Sequence, residues 1–259
     1  MRRFPVKKML ILCATALAMT ACEESYKIQG SSSVSALDGS KLYLKEIQDQ
    51  ELVSIDSCEV VHGKFKFAGL LDTTKVVSLF LDDRQLVLPI VLEEGDINVR
   101  LDNGSCKVTG TKMNDVLYDF IDKHNQLNNR LTELDHRYSQ MLLDAIDEET
   151  INAELSKEAA QIAAEEDSLV THFIIDNFDN LLGPWAFMQL TGYLEYPVLT
   201  PQIEDIMSKA TDKFKSNPYV SKYYAKANEI QAKMQGMDDE PVPSAELPDS
   251  TIKKMLDGE

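Results

Sequence analysis

Hydrophobic and polar residues alternate in short runs over the first part of the chain. The segment Lys64-Phe65-Lys66-Phe67 has the period of two that is typical of a strand with one buried face. Val76–Leu81 and Leu86–Leu92 are nearly continuous apolar runs, which indicate strands buried on both faces. Turn signals such as Asp102-Asn103-Gly104 separate the runs. Short strands at this spacing predict an antiparallel β-sandwich or open barrel over residues 22–110.

The hydrophobic pattern changes at Asn114, beyond which apolar residues recur at steps of three and four, as on one face of a helix. Neither glycine nor proline occurs from Thr111 to Leu182, and Asp147-Glu148-Glu149 marks a second helix start within this stretch. Two helices of about 30 residues that are close in sequence should pack as an antiparallel hairpin. Shorter helices are predicted near the segments Trp185–Leu194, Pro201–Ala210 and Val220–Gln235.

The predicted fold class is therefore α+β. A β-sandwich domain over residues 22–110 is followed by an all-α domain over residues 111–235, which contains the long helical hairpin. Residues 236–259 hold seven acids against two lysines, together with three prolines. This composition predicts an acidic and mostly disordered tail.

The N-terminal segment has the three parts of a bacterial lipoprotein signal peptide. Basic residues at positions 2, 3, 7 and 8 precede an apolar run, Met9–Ala18, that is too short to span a membrane as a permanent helix. Met19-Thr20-Ala21-Cys22 then resembles a lipobox, in which the cysteine becomes the first residue and carries lipid. We therefore expect residues 1–21 to be removed and Cys22 to tether the protein to a membrane. An ordinary cleaved signal with an incidental cysteine is the alternative.

A lipid anchor of this kind implies a location in the cell envelope, and the outer membrane is the expected membrane. Glu23 and Glu24 follow the cysteine and resemble the acidic export signal of some surface lipoproteins. The periplasmic face and the cell surface are both open.

The formal net charge of the 259-residue chain is −17, and the predicted signal peptide holds four bases and no acids. A surface this acidic argues against nucleic acid and anionic lipid headgroups as partners, because both require basic patches. Bound cations or a cationic partner stay open, and so does a protein or peptide partner.

Two cysteines, Cys58 and Cys106, would be left once Cys13 is removed with the signal and Cys22 is lipidated. In an oxidising compartment they could pair as a disulfide, and two separately buried thiols are the alternative. No C-x-x-C sequence is present, so the usual dithiol redox motif is absent.

No catalytic or metal-binding motif in the sequence is convincing. Glu133 and His136 share a helical face, but di-iron bundles need two such pairs and further glutamates. The acidic pairs Asp82-Asp83 and Glu93-Glu94 lack the alternating oxygen ligands of a calcium loop. Motifs of serine hydrolases, phosphate loops and zinc proteases are absent. We therefore predict no enzymatic activity, no cofactor and no metal.

Four aromatic residues form the densest aromatic group in the chain: Trp185, Phe187, Tyr193 and Tyr196. Their helical spacing is typical of a core. A groove that binds a peptide or a glycan is the alternative.

Several turn-and-strand segments occur in an order that resembles a known family. They are Leu37–Leu44, Ile55–Ser57, His62–Gly69, Leu92–Val99 and Val108–Asp115. Over about residues 26–120 the chain resembles the uncharacterised N-terminal β-domain that precedes a thioredoxin-like module in many lipoproteins of diderm bacteria. That β-domain has no assigned catalytic residues. The thioredoxin-like module would bring a C-x-x-C, which this sequence lacks.

The anchor and the resemblance predict a lipid-anchored envelope protein of the binding or interaction type. In the alternative, the protein is an accessory of envelope thiol–disulfide chemistry, in which Cys58 and Cys106 act beside a separate thioredoxin-like enzyme. A scaffold whose helical hairpin assembles with a partner or with itself is a third hypothesis.

Overall fold

The computed structural model of the protein describes residues 24–48, 51–82 and 85–236, with only the backbone described at 85–87. The predicted signal peptide, the lipidation site Cys22 and the acidic tail after Gly236 lie outside the described residues. The described chain begins as a β-sandwich and continues into helices.

Eight strands form two four-stranded sheets in the described N-terminal part of the chain. They are β1 (Ser25–Ser32), β2 (Lys41–Gln48), β3 (Glu51–Glu59), β4 (Lys64–Leu70), β5 (Lys75–Leu81), β6 (Gln85–Leu92), β7 (Gly95–Asp102) and β8 (Ser105–Thr109). The strand order is β4-β1-β7-β8 in the first sheet and β3-β2-β5-β6 in the second. The predicted sandwich is confirmed, and the sheets do not close into a barrel.

One strand pair is an exception to the predicted antiparallel arrangement. β1 runs parallel to β7, with Ile28 opposite Ile97, whereas the other pairs in the two sheets are antiparallel. Antiparallel neighbours can be joined by a tight turn, but β1 and β7 are separated along the chain by strands β2 to β6. No hairpin therefore dictates the direction of this pair.

Strand β4 shows how the alternation in the sequence becomes a buried face. Phe65 and Phe67 are buried with their rings edge to face, 6.3 Å apart between centroids, while Lys64 and Lys66 are exposed. Phe65 lies opposite Gly30 of β1, where a Cβ atom would fall 2.0 Å from the ring. Glycine at position 30 leaves the space that this ring fills.

Six helices follow the sandwich in the described chain. They are α1 (Lys112–Leu143), α2 (Glu148–Asp176), α3 (Leu182–Gly192), α4 (Pro201–Lys209), α5 (Asp212–Lys215) and α6 (Pro218–Met234). α1 and α2 pack against each other as the predicted hairpin, and Oδ1 of Asp147 caps α2 by accepting the Thr150 N–H at 2.9 Å. None of the helices in the described ranges combines the length and the apolar character that a membrane crossing requires.

The sandwich and the helices share one hydrophobic core. Its buried members include Leu42 and Ile97 from the two sheets, and Leu117, Ile174 and Phe187 from the helices. The chain therefore passes from strands to helices after residue 110 without an interruption of the core.

Asn114 joins the first turn of α1 to strand β6. Its side chain is fully buried, and its Oδ1 accepts the N–H of Val91 at 2.9 Å. Its Nδ2 donates to the Val91 carbonyl at 2.7 Å and to Oγ1 of Thr111 at 2.8 Å. The amide thus satisfies both backbone groups of a buried strand residue.

Two more contacts hold α1 along the β6 side of the sandwich. Oε1 of Glu93 accepts the N–H of Met113 at 2.8 Å, at a helix start where the dipole favours a carboxylate. The hydroxyl of Tyr118 donates to the carbonyl of Pro89 at 3.0 Å. The helix therefore covers this side of the two sheets.

The distal half of the hairpin has a small core of its own. After Asp122, which pairs with Lys107 of β8 at 2.8 Å, the rest of α1 is about 30 Å long. Arg137 links the helices through Glu158 at 2.8 Å and Glu154 at 3.4 Å. The buried residues of this second core are Leu127, Leu134, Ile151, Leu155 and Ile162.

Candidate functional site

The two candidate thiols lie on edge strands of different sheets. Cys58 is on β3, which neighbours β4, and Cys106 is on β8, which neighbours β6 and α1. Both are free thiols and both are partly buried. Because β3 and β8 lie on opposite sides of the sandwich, the two residues do not form the disulfide or dithiol pair that the sequence left open. They match the alternative of two separate thiols.

Burial raises the pKa of both thiols. For Cys58 the pKa rises to about 11, chiefly because burial disfavours the thiolate, and the nearby Asp56 carboxylate adds to the effect. For Cys106 burial and the Asp102 carboxylate raise the pKa. Since the thiolate is the nucleophilic form, neither cysteine is activated near neutral pH.

Alkylation of native Cys58 by iodoacetamide is expected to accelerate about tenfold per pH unit between about pH 8 and pH 10, because the thiolate fraction keeps rising below the pKa. Mass spectrometry of the mature chain carrying Cys22→Ser and Cys106→Ser measures this rate at one site. The same chain in urea is the control, and its rate should level off near pH 9. A plateau at that pH in the folded chain would contradict the raised pKa.

The four candidate aromatic residues do not form one surface. Phe187 is 0% exposed, and its ring meets the ring of Tyr223 edge-on at 5.4 Å between centroids. Tyr193, just after α3, is 60% exposed, whereas Trp185 and Tyr196 are partly buried. The side chain of Phe187 belongs to the hydrophobic core, which is the arrangement that the helical spacing of the four aromatic residues favours.

Two of the histidines have local hydrogen-bond partners. Nε2 of His124 lies 3.0 Å from a carboxylate oxygen of Glu166, and its Nδ1 lies 3.1 Å from Nδ2 of Asn128. Nδ1 of His172 lies 2.7 Å from the carbonyl oxygen of Ser168. Within the described residues, no group of three or more His, Cys, Asp or Glu side chains is placed to hold a metal ion.

The side of the sandwich formed by β3 and β4 exposes large apolar side chains. Val53 and Ile55 on β3 are each 37% exposed, and Leu70 at the end of β4 is 69% exposed. α1 packs along β8 and β6, on the other side of the two sheets. We term Val53, Ile55 and Leu70, together with Asp56, the open edge.

A crevice of about 380 Å³ lies between β3 and β4. Ile55 and Asp56 line it from β3, and Gly69 and Leu70 line it from β4. This volume falls within the range of about 300–1,000 Å³ that is typical of small-ligand sites. The crevice is thus large enough for one or two side chains of a bound partner.

Of the charged residues that line this crevice, Lys75 forms ion pairs and Asp56 does not, within the described part of the chain. Nζ of Lys75 pairs with Glu46 and with Asp72, each at 3.0 Å. Asp56 has no ion-pair partner among the residues that the structure describes. Burial raises the pKa of Tyr26, another lining residue, and the Asp56 carboxylate raises it further. The crevice therefore presents a carboxylate that a bound cation would neutralise.

A wider depression of about 610 Å³ follows one face of α2. Glu165, Ser168 and His172 line it. The Arg130 guanidinium donates to Glu165 and lowers the pKa of that carboxyl. Because the Arg130 guanidinium already neutralises Glu165, we expect the depression to attract a cationic ligand less strongly than the crevice beside Asp56 does.

Sequence patterns alone did not single out the open edge. Val53 and Ile55 fit a predicted strand, but alternation does not say which strand lies at the edge of a sheet. A usable signal is the lack of lysine and proline in Glu51–Glu59, since proteins commonly protect exposed edges with these residues.

The comparisons with known proteins concern the sandwich. Residues 26–117 match a family described as a domain of unknown function, DUF4369, and no curated protein matches the chain. The matched range extends over the two sheets into the start of α1 and contains the open edge. The resemblance to an uncharacterised N-terminal domain is thus confirmed, and the match includes no thioredoxin-like module. Residues 26–117 of this protein are thus similar to the DUF4369 family of domains.

Proposed function

We propose that the protein is a lipid-anchored cell-envelope protein that binds a protein or peptide partner. The observation that carries the proposal is the lipobox-like sequence Met19–Cys22, which stands directly ahead of the first strand of an uncharacterised domain. A diacylated cysteine anchors firmly, because each buried CH₂ group contributes about 0.8 kcal/mol.

The start of the described chain supports an anchor at one end of the sandwich. The carbonyl of Glu24 accepts the N–H of Leu71 at 2.8 Å, so the sandwich holds the chain from this residue onward. Cys22 precedes Glu24 by two residues, which span at most about 7 Å. A lipid on Cys22 would therefore hold this end of the sandwich close to the membrane.

The helical hairpin would then extend away from that membrane. α1 begins beside the anchored end, because Thr111 lies next to Gly95, and Gly95 pairs with Tyr26 at the start of β1. From there its 32 residues extend about 50 Å to a tip where Leu143 is 87% exposed. An anchor at one end and a long arm toward the other is an arrangement suited to interaction with other envelope components.

Replacement of Cys22 by serine is expected to abolish fatty-acid labelling and to release the protein from the membrane fraction, because the anchor is lost. Growth of the cells with labelled palmitate, followed by fractionation at high salt, measures both effects. Cys58→Ser is the matched control and should stay labelled and membrane-bound. Labelling that persists without Cys22, or a wild-type chain that never takes up label, would contradict the proposal.

The alternative role in thiol–disulfide chemistry gains no support from the geometry. Cys58 and Cys106 lie on opposite sides of the sandwich, and burial raises the pKa of each thiol. A dithiol exchange between the two would require large rearrangements of both sheets.

A further inference from the structure

We propose that the open edge binds an extended segment of a partner protein, which adds to β3 as a further strand and carries basic and apolar side chains in alternation. This inference rests on the proposed binding function and names the surface and the chemistry of the partner. Strand addition provides affinity through backbone hydrogen bonds and specificity through the side chains that enter neighbouring pockets.

Among the four edge strands of the described sandwich, β3 carries neither lysine nor proline and has no helix packed along it. β4 carries the exposed Lys64 and Lys66, and β6 contains Pro89, both of which discourage pairing with another strand. β8 and β6 are in contact with α1. β3 is 9 residues long, lies last in its sheet, and has no lysine, proline or covering helix of this kind. Within the described ranges, no strand pairs with the outward edge of β3.

The pairing of β3 with β2 directs one side chain toward the crevice. Leu44 lies opposite Asp56 and Lys45 lies opposite Ser54, so Ile55 is the extra residue of a bulge. Bulges re-aim side chains and are frequent beside binding sites. Here Ile55 and Leu70 contribute apolar side chains to a crevice that Asp56 and other polar residues also line.

The charge of β3 favours a basic partner over a second copy of the chain. Glu51, Asp56 and Glu59 take part in none of the ion pairs among the described residues. Two copies of β3 paired antiparallel about Ile55 would bring Glu51 opposite Glu59, and like charges directly opposite each other are destabilising. A partner strand with lysine or arginine opposite Glu51 and Glu59 would instead form favourable ion pairs. The aliphatic part of one such side chain would pack on Ile55 and Leu70, and its cation would contact the carboxylate of Asp56.

The test uses the mature full-length chain carrying Cys22→Ser and a fluorescent peptide of alternating valine and lysine. We expect the peptide to bind at physiological salt, measured by fluorescence anisotropy, and to slow hydrogen exchange of the β3 amides. The variant with both Val53→Lys and Ile55→Lys should bind about tenfold more weakly or worse. Val61→Lys is the matched control, because Val61 is exposed outside the strands, and its affinity should be unchanged.

Asp56→Asn provides a second variant that retains side-chain size. It should bind the basic peptide several-fold more weakly and reduce the salt dependence of binding, while thermal unfolding confirms that it is folded. Equal binding of an alternating valine–glutamate peptide, protection outside β3, equal affinity of all variants, or no binding would overturn the proposal. Protection of β3 that grows with protein concentration in the absence of peptide would also overturn it, in favour of a second copy as the occupant.

The outcome is independent of lipidation, because Cys22 is replaced in every sample. If the lipidation experiment on Cys22 contradicts the anchor hypothesis, the proposal that the open edge is a binding surface is unaffected. If the peptide does not bind at β3, the anchor hypothesis is unaffected, and the helical hairpin becomes the next candidate for the partner site.

Discussion

Replacement of Asn114 by alanine is expected to lower the free energy of unfolding by about 3 kcal/mol. The Asn114 side chain is fully buried and accepts from the N–H, and donates to the carbonyl, of Val91. Alanine would leave both of these backbone groups buried without partners, and each such group costs about 1–3 kcal/mol. Urea unfolding of the mature chain carrying Cys22→Ser, followed by circular dichroism, measures the loss.

Asn128→Ala is the matched control for this prediction. Asn128 lies on the same helix, is exposed, and contacts His124 through its Nδ2. Its removal should change the free energy of unfolding by no more than about 0.5 kcal/mol. An equal effect of the two substitutions would show that the contact between Asn114 and Val91 does not hold α1 on the sandwich.

The consequence of this contact is a mechanical link between the two ends of the molecule. Asn114 fastens the base of α1 to β6, and the same helix continues to the exposed tip at Leu143. A tether at Cys22 would thereby keep the base of the hairpin, rather than its tip, near a membrane.

The faces of the strands could be predicted from the sequence because burial follows side-chain alternation. Phe65 and Phe67 point into the core as their spacing indicates, and the two long apolar runs are β5, inside the second sheet, and β6, at the edge that α1 contacts. The parallel pairing of β1 with β7 could not be predicted in this way. A period of two is the same for parallel and antiparallel neighbours, and the choice depends on contacts between residues far apart in the chain.

The candidate site was hidden from sequence reasoning for a related reason. Ile55 becomes exposed because β3 lies at an edge and because a bulge shifts its pairing with β2, and both facts depend on the assembled sheets. The role of Asn114 was hidden too. A polar residue in the first turn of an amphipathic helix fits a solvent-facing position equally well, and its partner Val91 is on a strand of the second sheet.

Replacement of Phe187 by alanine is expected to lower the free energy of unfolding by about 4 kcal/mol. The ring is 0% exposed and meets Phe214 at 5.6 Å and Tyr223 at 5.4 Å between centroids, nearly perpendicular to both. Removal of the ring would forfeit these contacts and leave a cavity. Phe187→Leu fills most of the space and should cost less than about 1.5 kcal/mol.

Tyr193→Ala is the matched control, because Tyr193 is the exposed member of the same group of four aromatic residues. Tyr193 is 60% exposed, so its loss should change stability by about 0.5 kcal/mol or less. Urea unfolding compares the three variants, and the basic peptide should bind Phe187→Leu as tightly as the unmodified chain, because the open edge lies on the sandwich. Equal stability losses for Phe187→Ala and Tyr193→Ala would contradict the buried position of the Phe187 ring. A loss of peptide affinity in Phe187→Leu without a loss of stability would instead connect this aromatic group to binding, as the sequence left open.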